Sequence, residues 1–267
     1  MKLGASTIPF RGELLTGEVL ARFSEAGIES LELCDYHPNF AFADKGFRAF
    51  LRQALPDMGF HLNSIHIHLK QRDPACDLAS LDEAGHRKAL DDHKQAVDLA
   101  ADLGGCILVT HDIAIPEPEE ELGLEKRAAY LMNLGEVAVY AAPAGVRLAL
   151  ENTGPRGYTG DPQRLVDLLE DLGAPNVGAV IDTGHRNLGG DPAAALRTVG
   201  RHLITLHLHD NHGERDEHLL PGRGNIAWDE VNRALSDIGY GGVFMYEINR
   251  PGDVRELAEN AAWIQGL

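Results

Sequence analysis

Short β-like runs alternate with helically spaced stretches eight times along this chain, and that alternation constrains the fold more than any other feature. The runs are Lys2–Ala5, Ser30–Leu33, Phe60–Ile67, Cys106–Thr110, Val146–Leu150, Val177–Ile181, Ile204–Leu208 and Val243–Tyr246. Between them lie expected helices. In Gly17–Glu25, Val19, Leu20 and Phe23 fall at helical spacing and Gly27 closes the end. Lys45–Leu55, Gly85–Leu103, Glu125–Ala142, Trp228–Ile238 and Asp253–Ile264 follow the same logic. Two further helices open on Asp161-Pro162 and Asp191-Pro192, an N-cap followed by proline at the first helical position, and the first ends near Gly173. Spacing of this kind suits right-handed crossovers and parallel pairing. The expected fold is α/β, a single (β/α)8 barrel over residues 1–267, with no linker or composition shift dividing it. A doubly wound open sheet is the rival, but Gly4-Ala5-Ser6-Thr7 lacks the glycine-rich phosphate turn expected after its first strand. Ile113–Leu124, rich in Pro and Glu, reads as an exposed loop and a candidate lid or rim.

Composition narrows the function classes. A net charge of −17 argues against broad nucleic-acid or anionic-membrane affinity. Met1–Phe10 does not read as a signal peptide, and no stretch has the length and apolarity of a membrane span, so a cytoplasmic location is expected. Cys34, Cys76 and Cys106 are far apart, odd in number and without CxxC spacing, which suits a reducing compartment and argues against a disulfide framework or a zinc-thiolate site.

Four of the runs stop on a metal-ligand residue type: Glu151, Asp182, His209 and Glu247. In a parallel barrel those ends converge on the C-terminal mouth, where oxygen and nitrogen donors from different strands make a divalent-metal site. Each residue alone has an ordinary structural role. Glu151 suits an exposed loop start as well as a buried strand end, where a carboxylate must be paired or metal-bound. Asp182 suits a helix cap, with His185 in the first turn after it. In His207-Leu208-His209 the two imidazoles share a face by strand alternation; His209, nearer the mouth, is the expected ligand, and His207 the inner-layer partner. Glu32, His66, His68 and His111 could each be a satisfied barrel side chain, and Asp216 and His218 solvated loop residues. Recurrence at successive strand ends is what these separate roles do not explain.

Taken together, Glu151, Asp182-x-x-His185, His209, Asp216-x-His218-x-x-x-Gly222-x-Gly224 and Glu247 resemble the xylose isomerase-like TIM-barrel superfamily. That group holds sugar and sugar-phosphate isomerases and epimerases as well as the endonuclease IV class. The resemblance implies a shared metal site at Glu151, Asp182, His209 and Glu247, taking manganese, zinc, magnesium or cobalt. It also implies substrate contacts at His185 and Arg215, to which His66 is added. The expected function is a divalent-metal-dependent isomerase or epimerase of a small sugar, sugar phosphate or related polyol ketone. The reaction would pass through a metal-stabilised cis-enediolate, with Glu151 and Glu247 as the acid–base pair. A dehydratase using the same enolate is a close relative of this reading.

Two alternatives stay open. The endonuclease IV branch holds three zinc ions, and His66 (or His68), His111, His185, Asp216 and His218 stand at matching places, so additional metal at His111, His185, Asp216 and His218 is a second expectation. A barrel that binds sugar or metal without turnover is the third. One ion and a small-molecule sugar substrate are preferred over three ions and a phosphodiester, and a homo-oligomer is common in this group.

Overall fold

In the computed structural model, which describes residues 2–111, 120–249 and 254–267, eight parallel strands pair in chain order and close into a barrel. The strands are β1 (Lys2–Ser6), β2 (Ser30–Cys34), β3 (His61–Ile67), β4 (Ile107–His111), β5 (Arg147–Glu151), β6 (Val177–Asp182), β7 (Leu203–Leu208) and β8 (Val243–Tyr246). Closure is made by β1 against β8, with Leu3 opposite Phe244 and Ala5 opposite Tyr246. The helices are α1 (Gly17–Glu25), α2 (Lys45–Asp57), the short α3 (Leu69–Arg72), α4 (Glu83–Asp102), α5 (Glu121–Ala141), α6 (Pro162–Leu172), the short α7 (Thr183–Asn187), α8 (Pro192–Val199), α9 (Trp228–Asp237) and α10 (Glu256–Gln265). Among the described residues no helix is long and apolar enough to cross a membrane.

Local chemistry sets these boundaries. Asp44, Asp161 and Asp191 cap α2, α6 and α8 by accepting from the backbone N–H groups of Phe47, Gln163 and Ala193 at 2.7, 2.9 and 2.9 Å. Gly173 ends α6 in the left-handed conformation, at φ 60°. Helix α5 starts at Glu121, four residues earlier than the composition of Ile113–Leu124 suggests: Glu121 and Glu125 are strong helix formers, and Gly123 is buried rather than exposed in a loop. The remainder of that candidate lid, through residue 119, lies outside the described residues.

Strand alternation sorts side chains into two layers. Leu31, Leu33, Ile65, Ile67, Leu108, Leu148, Leu150, Ile181, Leu206, Leu208, Phe244 and Tyr246 point outward into the main core against the helices. Ile107, Val109, Ala149 and Val180, with Ile204, form a smaller apolar group. Ile107 and Val109 share a face with His111, Ala149 with Glu151, and Val180 with Asp182. The barrel interior is therefore apolar at its base and changes to acids and imidazoles toward the C-terminal ends.

Candidate metal and substrate centre

At the mouth, Glu32, His66, Glu151, Asp182, His207, His209 and Glu247 are all buried, none more than 3% exposed. Isolated charges at that depth cost several kcal/mol or more unless paired, so their arrangement has to supply compensation. His66 Nε2 stands 3.0 Å from Glu151 Oε2, and His66 Nδ1 lies 3.6 Å from Glu32 and 3.5 Å from Glu247. His207 Nε2 donates to Glu32 Oε2 at 3.0 Å, while its Nδ1 is 3.3 Å from Glu151 Oε1 and 2.9 Å from Glu247 Oε2. Ser64 completes the floor by donating to Glu32 at 2.7 Å. His209 Nε2 meets Asp182 at 2.8 Å.

The electrostatics follow from this packing. Burial alone would raise the Glu151 and Glu247 carboxyls, but His207 and His66 hold both well below the ordinary carboxylate range. The same balance lowers Glu32 to about 2, burial being outweighed by His207 and His66. Burial disfavours the charged forms of His66 and His207, yet the acids around them hold both well above the usual imidazole value. His111 is the exception: burial, against the raising field of Glu151 and with His66 and His68 nearby, pushes it down to about 3.

Charge balance without good hydrogen bonds is the mark of this cluster. Both Glu151 oxygens, Glu247 Oε2, Glu32 Oε1, both His66 nitrogens, His207 Nδ1 and His209 Nδ1 are buried with no hydrogen-bond partner. Donor atoms of Glu151, Asp182, His207 and Glu247 lie within 4.8 Å of one another, as do those of His185, His209, Asp216 and His218, and those of His66, His68 and His111. Three carboxylates and an imidazole, with partnerless atoms on Glu151, Glu247 and His207, are a donor set suited to a divalent cation. The residues present fit a divalent ion, with His207 in the group where the sequence expects His209, whose donor atom instead groups with those of His185, Asp216 and His218.

Outer contacts orient several of the histidines. His68 Nδ1 donates to Asp35 Oδ1 at 2.7 Å, His185 Nδ1 to the Asn152 carbonyl at 3.2 Å, and His218 Nδ1 to the Glu247 carbonyl at 2.8 Å. The Nε2 atoms of His185 and His218 then face Asp216, at 3.4 and 3.1 Å, so an acid and two imidazoles with fixed rings meet at one place. His218 also has φ 48°, the one left-handed non-glycine among the described residues, so the loop accepts backbone strain to place this ring. It stacks on His209 at 3.9 Å between ring centroids and meets Asp216 at 3.1 Å.

Asp182 fills two roles at once. Its Oδ1 caps α7 by accepting from the His185 N–H at 2.7 Å, and its Oδ2 faces His209 at 3.0 Å. Neighbouring residues that sequence reasoning did not single out lock this corner. Asn152 accepts from Asp182 N at 2.6 Å. Asp210, fully buried, accepts from Gly222 N and Trp228 Nε1 at 2.8 Å each, which pins the loop carrying Asp216 and His218. A Cβ on Gly224 would stand 2.2 Å from the Asn211 carbonyl oxygen, so the close approach of this loop requires glycine there. An acid directly after the second histidine, in His209-Asp210, was the available signal.

Above the cluster opens a cavity of ≈ 650 Å³ lined by Ile8, Arg11, Gly12, Tyr36, His68, Gln71, His111, His185, His218 and Glu247. Of the residues expected from sequence, the structure gathers Glu151, Asp182, His185, His209, Glu247, His66, His111, Asp216 and His218 around this mouth. It also brings His207, expected as an inner-layer side chain, among the acids. Arg215 is exposed and does not line the cavity.

A closed eight-stranded α/β barrel with an acid–imidazole mouth is the class defined by this fold and site. The model of the xylose isomerase-like TIM barrel matches residues 20–267, and the chain belongs to that family. It is 29% identical over 252 residues to Uncharacterized protein MJ1311 of Methanocaldococcus jannaschii, a match covering 92% of this chain and 83% of that protein. It is 26% identical over 245 residues to an inosose isomerase of Bacillus velezensis, covering 86% of each. Among solved structures, a D-tagatose 3-epimerase-like protein superposes with a TM-score of 0.84 at 24% identity, covering 100% of this chain and 96% of that one, which establishes likeness of fold.

Proposed function

We propose that this protein is a divalent-metal-dependent isomerase or epimerase of a small sugar, sugar phosphate or related polyol ketone. The observation that carries the reading is the pair Glu151 and Glu247: two buried carboxylates with partnerless oxygens, Glu247 lining a cavity of small-molecule size and Glu151 beside its wall residue His185. Similarity to an inosose isomerase supports the same class. Glu151, Asp182 and Glu247 would hold the ion together with His207, whose donor atom groups with theirs, or with His209, which meets Asp182 at 2.8 Å. A bound divalent ion supplies Lewis-acid polarisation of a carbonyl and its neighbouring hydroxyl. Glu151 and Glu247, depressed well below the ordinary carboxylate range, would be ionised at neutral pH, and one of them accepts the proton from the carbon beside the carbonyl. For epimerisation the other would first take up a proton from solvent through the cavity and deliver it to the opposite face of the enediolate, the acceptor then releasing its own proton to solvent. His185 and His66 hydrogen-bond substrate hydroxyls from positions beside Glu151.

A second reading has its own observation. Of the five partly overlapping ligand groups among the described residues, three share no residue, including His185, His209, Asp216 and His218, and these would accommodate more than one ion, as an endonuclease IV-like multi-zinc phosphodiesterase requires. Elemental analysis of protein purified without added metal, paired with assays on a ketose panel and on abasic DNA, separates the two. About one exchangeable divalent ion and ketose turnover are expected. About three zinc ions with abasic-site cleavage would overturn the sugar reading. Bound sugar with no turnover on any ketose would leave a binding barrel.

A further inference from the structure

Among the described residues, one cation in the cavity wall has no side-chain partner. Arg11 follows the short 3-10 turn Ile8–Phe10, and its N–H donates to the Ile8 carbonyl at 3.1 Å. Phe10 is buried and packs edge-on against Phe23 at 5.3 Å, so the turn that projects Arg11 is anchored in the core. The nearest acid in sequence, Glu13, is engaged by Arg22 at 2.8 Å. Other cations on this side are likewise engaged: Arg72 by Asp35 at 3.3 Å and Lys70 by Asp77 at 2.8 Å. Among the described residues the Arg11 guanidinium has no ion pair or hydrogen bond, in a chain whose net charge is −17. The same cavity wall includes Gly12, where an added Cβ would meet nothing within 4 Å, Gln71, and Tyr36, held flat on His68 at 4.0 Å.

An unpaired guanidinium on a fixed turn, beside open space and an amide, matches the planar two-oxygen face of a phosphate or carboxylate. Among the described residues that line the cavity, Glu247 is the only carboxylate. We infer that Arg11, with Gly12, Tyr36 and Gln71, forms an oxyanion subsite. The substrate is accordingly a small ketose that bears a phosphate ester or carboxylate at the end away from Glu151 and Glu247. This inference rests on the sugar reading of the same cavity. It assigns the anion to the loop after β1, rather than to Arg215 after β7.

The test compares D-fructose, D-fructose 6-phosphate and D-fructuronate on the metal-loaded protein, in wild type and in Arg11→Gln, Arg11→Lys and the distant surface variant Arg52→Gln. Wild type is expected to favour one or both anionic ketoses in KM, and the two arms tell phosphate from carboxylate. Arg11→Gln should reduce that preference by about 10- to 100-fold, with partial recovery in Arg11→Lys. Equal KM for neutral and anionic ketoses in wild type, or an equal loss in Arg52→Gln, would overturn the subsite. If no ketose is turned over, the isomerase reading fails by itself, and calorimetric binding of the same three compounds still decides the subsite. A preference for the anions that Arg11→Gln removes sustains it; no binding, or binding without preference, rejects it.

Discussion

His207 Nδ1 stands 2.9 Å from Glu247 Oε2 while the opposite nitrogen of the same ring donates to Glu32 Oε2 at 3.0 Å, with all three side chains buried. One imidazole thus spans the gap between the barrel floor and the acids at the mouth. Removing it leaves two buried carboxylates short of their main counter-charge. His207→Leu is expected to destabilise the metal-free protein by about 3–5 kcal/mol, and adding Glu32→Gln should recover part of that loss. Urea unfolding of the single and double variants measures both, and a change below about 1 kcal/mol in the single variant would show that water replaces the ring.

Gly184 lies under the His209 ring. A Cβ there would stand 1.9 Å from His209 Cε1, and His209 is fully buried with no room to swing. Gly184→Ala should therefore displace a candidate ligand, costing about 1–3 kcal/mol in stability by overpacking. Apparent metal affinity should fall at least about tenfold, since ligand placement sets it. Thermal melts and metal titration report the two effects separately; unchanged metal affinity would place His209 outside the metal set.

Glu151→Gln and Glu247→Gln test the acid–base pair. Each keeps the size of the side chain and removes the proton acceptor. Loss of about 10²–10⁴-fold in kcat is expected from either, with substrate still bound. Full turnover in both variants, with the ion retained, would exclude two-carboxylate catalysis.

Proton and cation should compete at His218. Burial disfavours its charged form, but the Asp216 hydrogen bond and the field of Glu247 raise it from 6.5 to about 9. A raised imidazole contributes stability that is complete below the unfolded value and lost as pH rises through the folded one. The metal-free protein is therefore expected to lose Tm between pH 6.5 and 9. A divalent ion prefers the neutral ring, so the Tm gain on adding manganese or zinc should grow across the same interval. Melts in chelator and in added metal check the sign, and a metal-induced gain that shrinks with rising pH would contradict it.

Much of the architecture is legible in the chain because its causes are local. Asp161-Pro162 and Asp191-Pro192 start helices where expected, since cap and proline act within one turn. Strand alternation likewise puts Glu151, Asp182 and His207 on inward faces. The start of α5 was less legible, because Glu and Gly serve a loop rim or a first helical turn equally well until packing is known. Asp182 resisted a choice between cap and site because its two oxygens do both.

The sequence by itself determined the barrel, the inward face of each strand and the residue types gathered at the mouth. Only the tertiary structure decided which of them meet. It turned His207 toward Glu247, set Glu32 beneath it, paired His209 with Asp182, and placed Arg11 instead of Arg215 in the cavity wall. The reason is geometric. Alternation fixes the face a side chain points to, whereas its height and neighbours across the barrel depend on strand tilt and stagger, which arise only when all eight strands close.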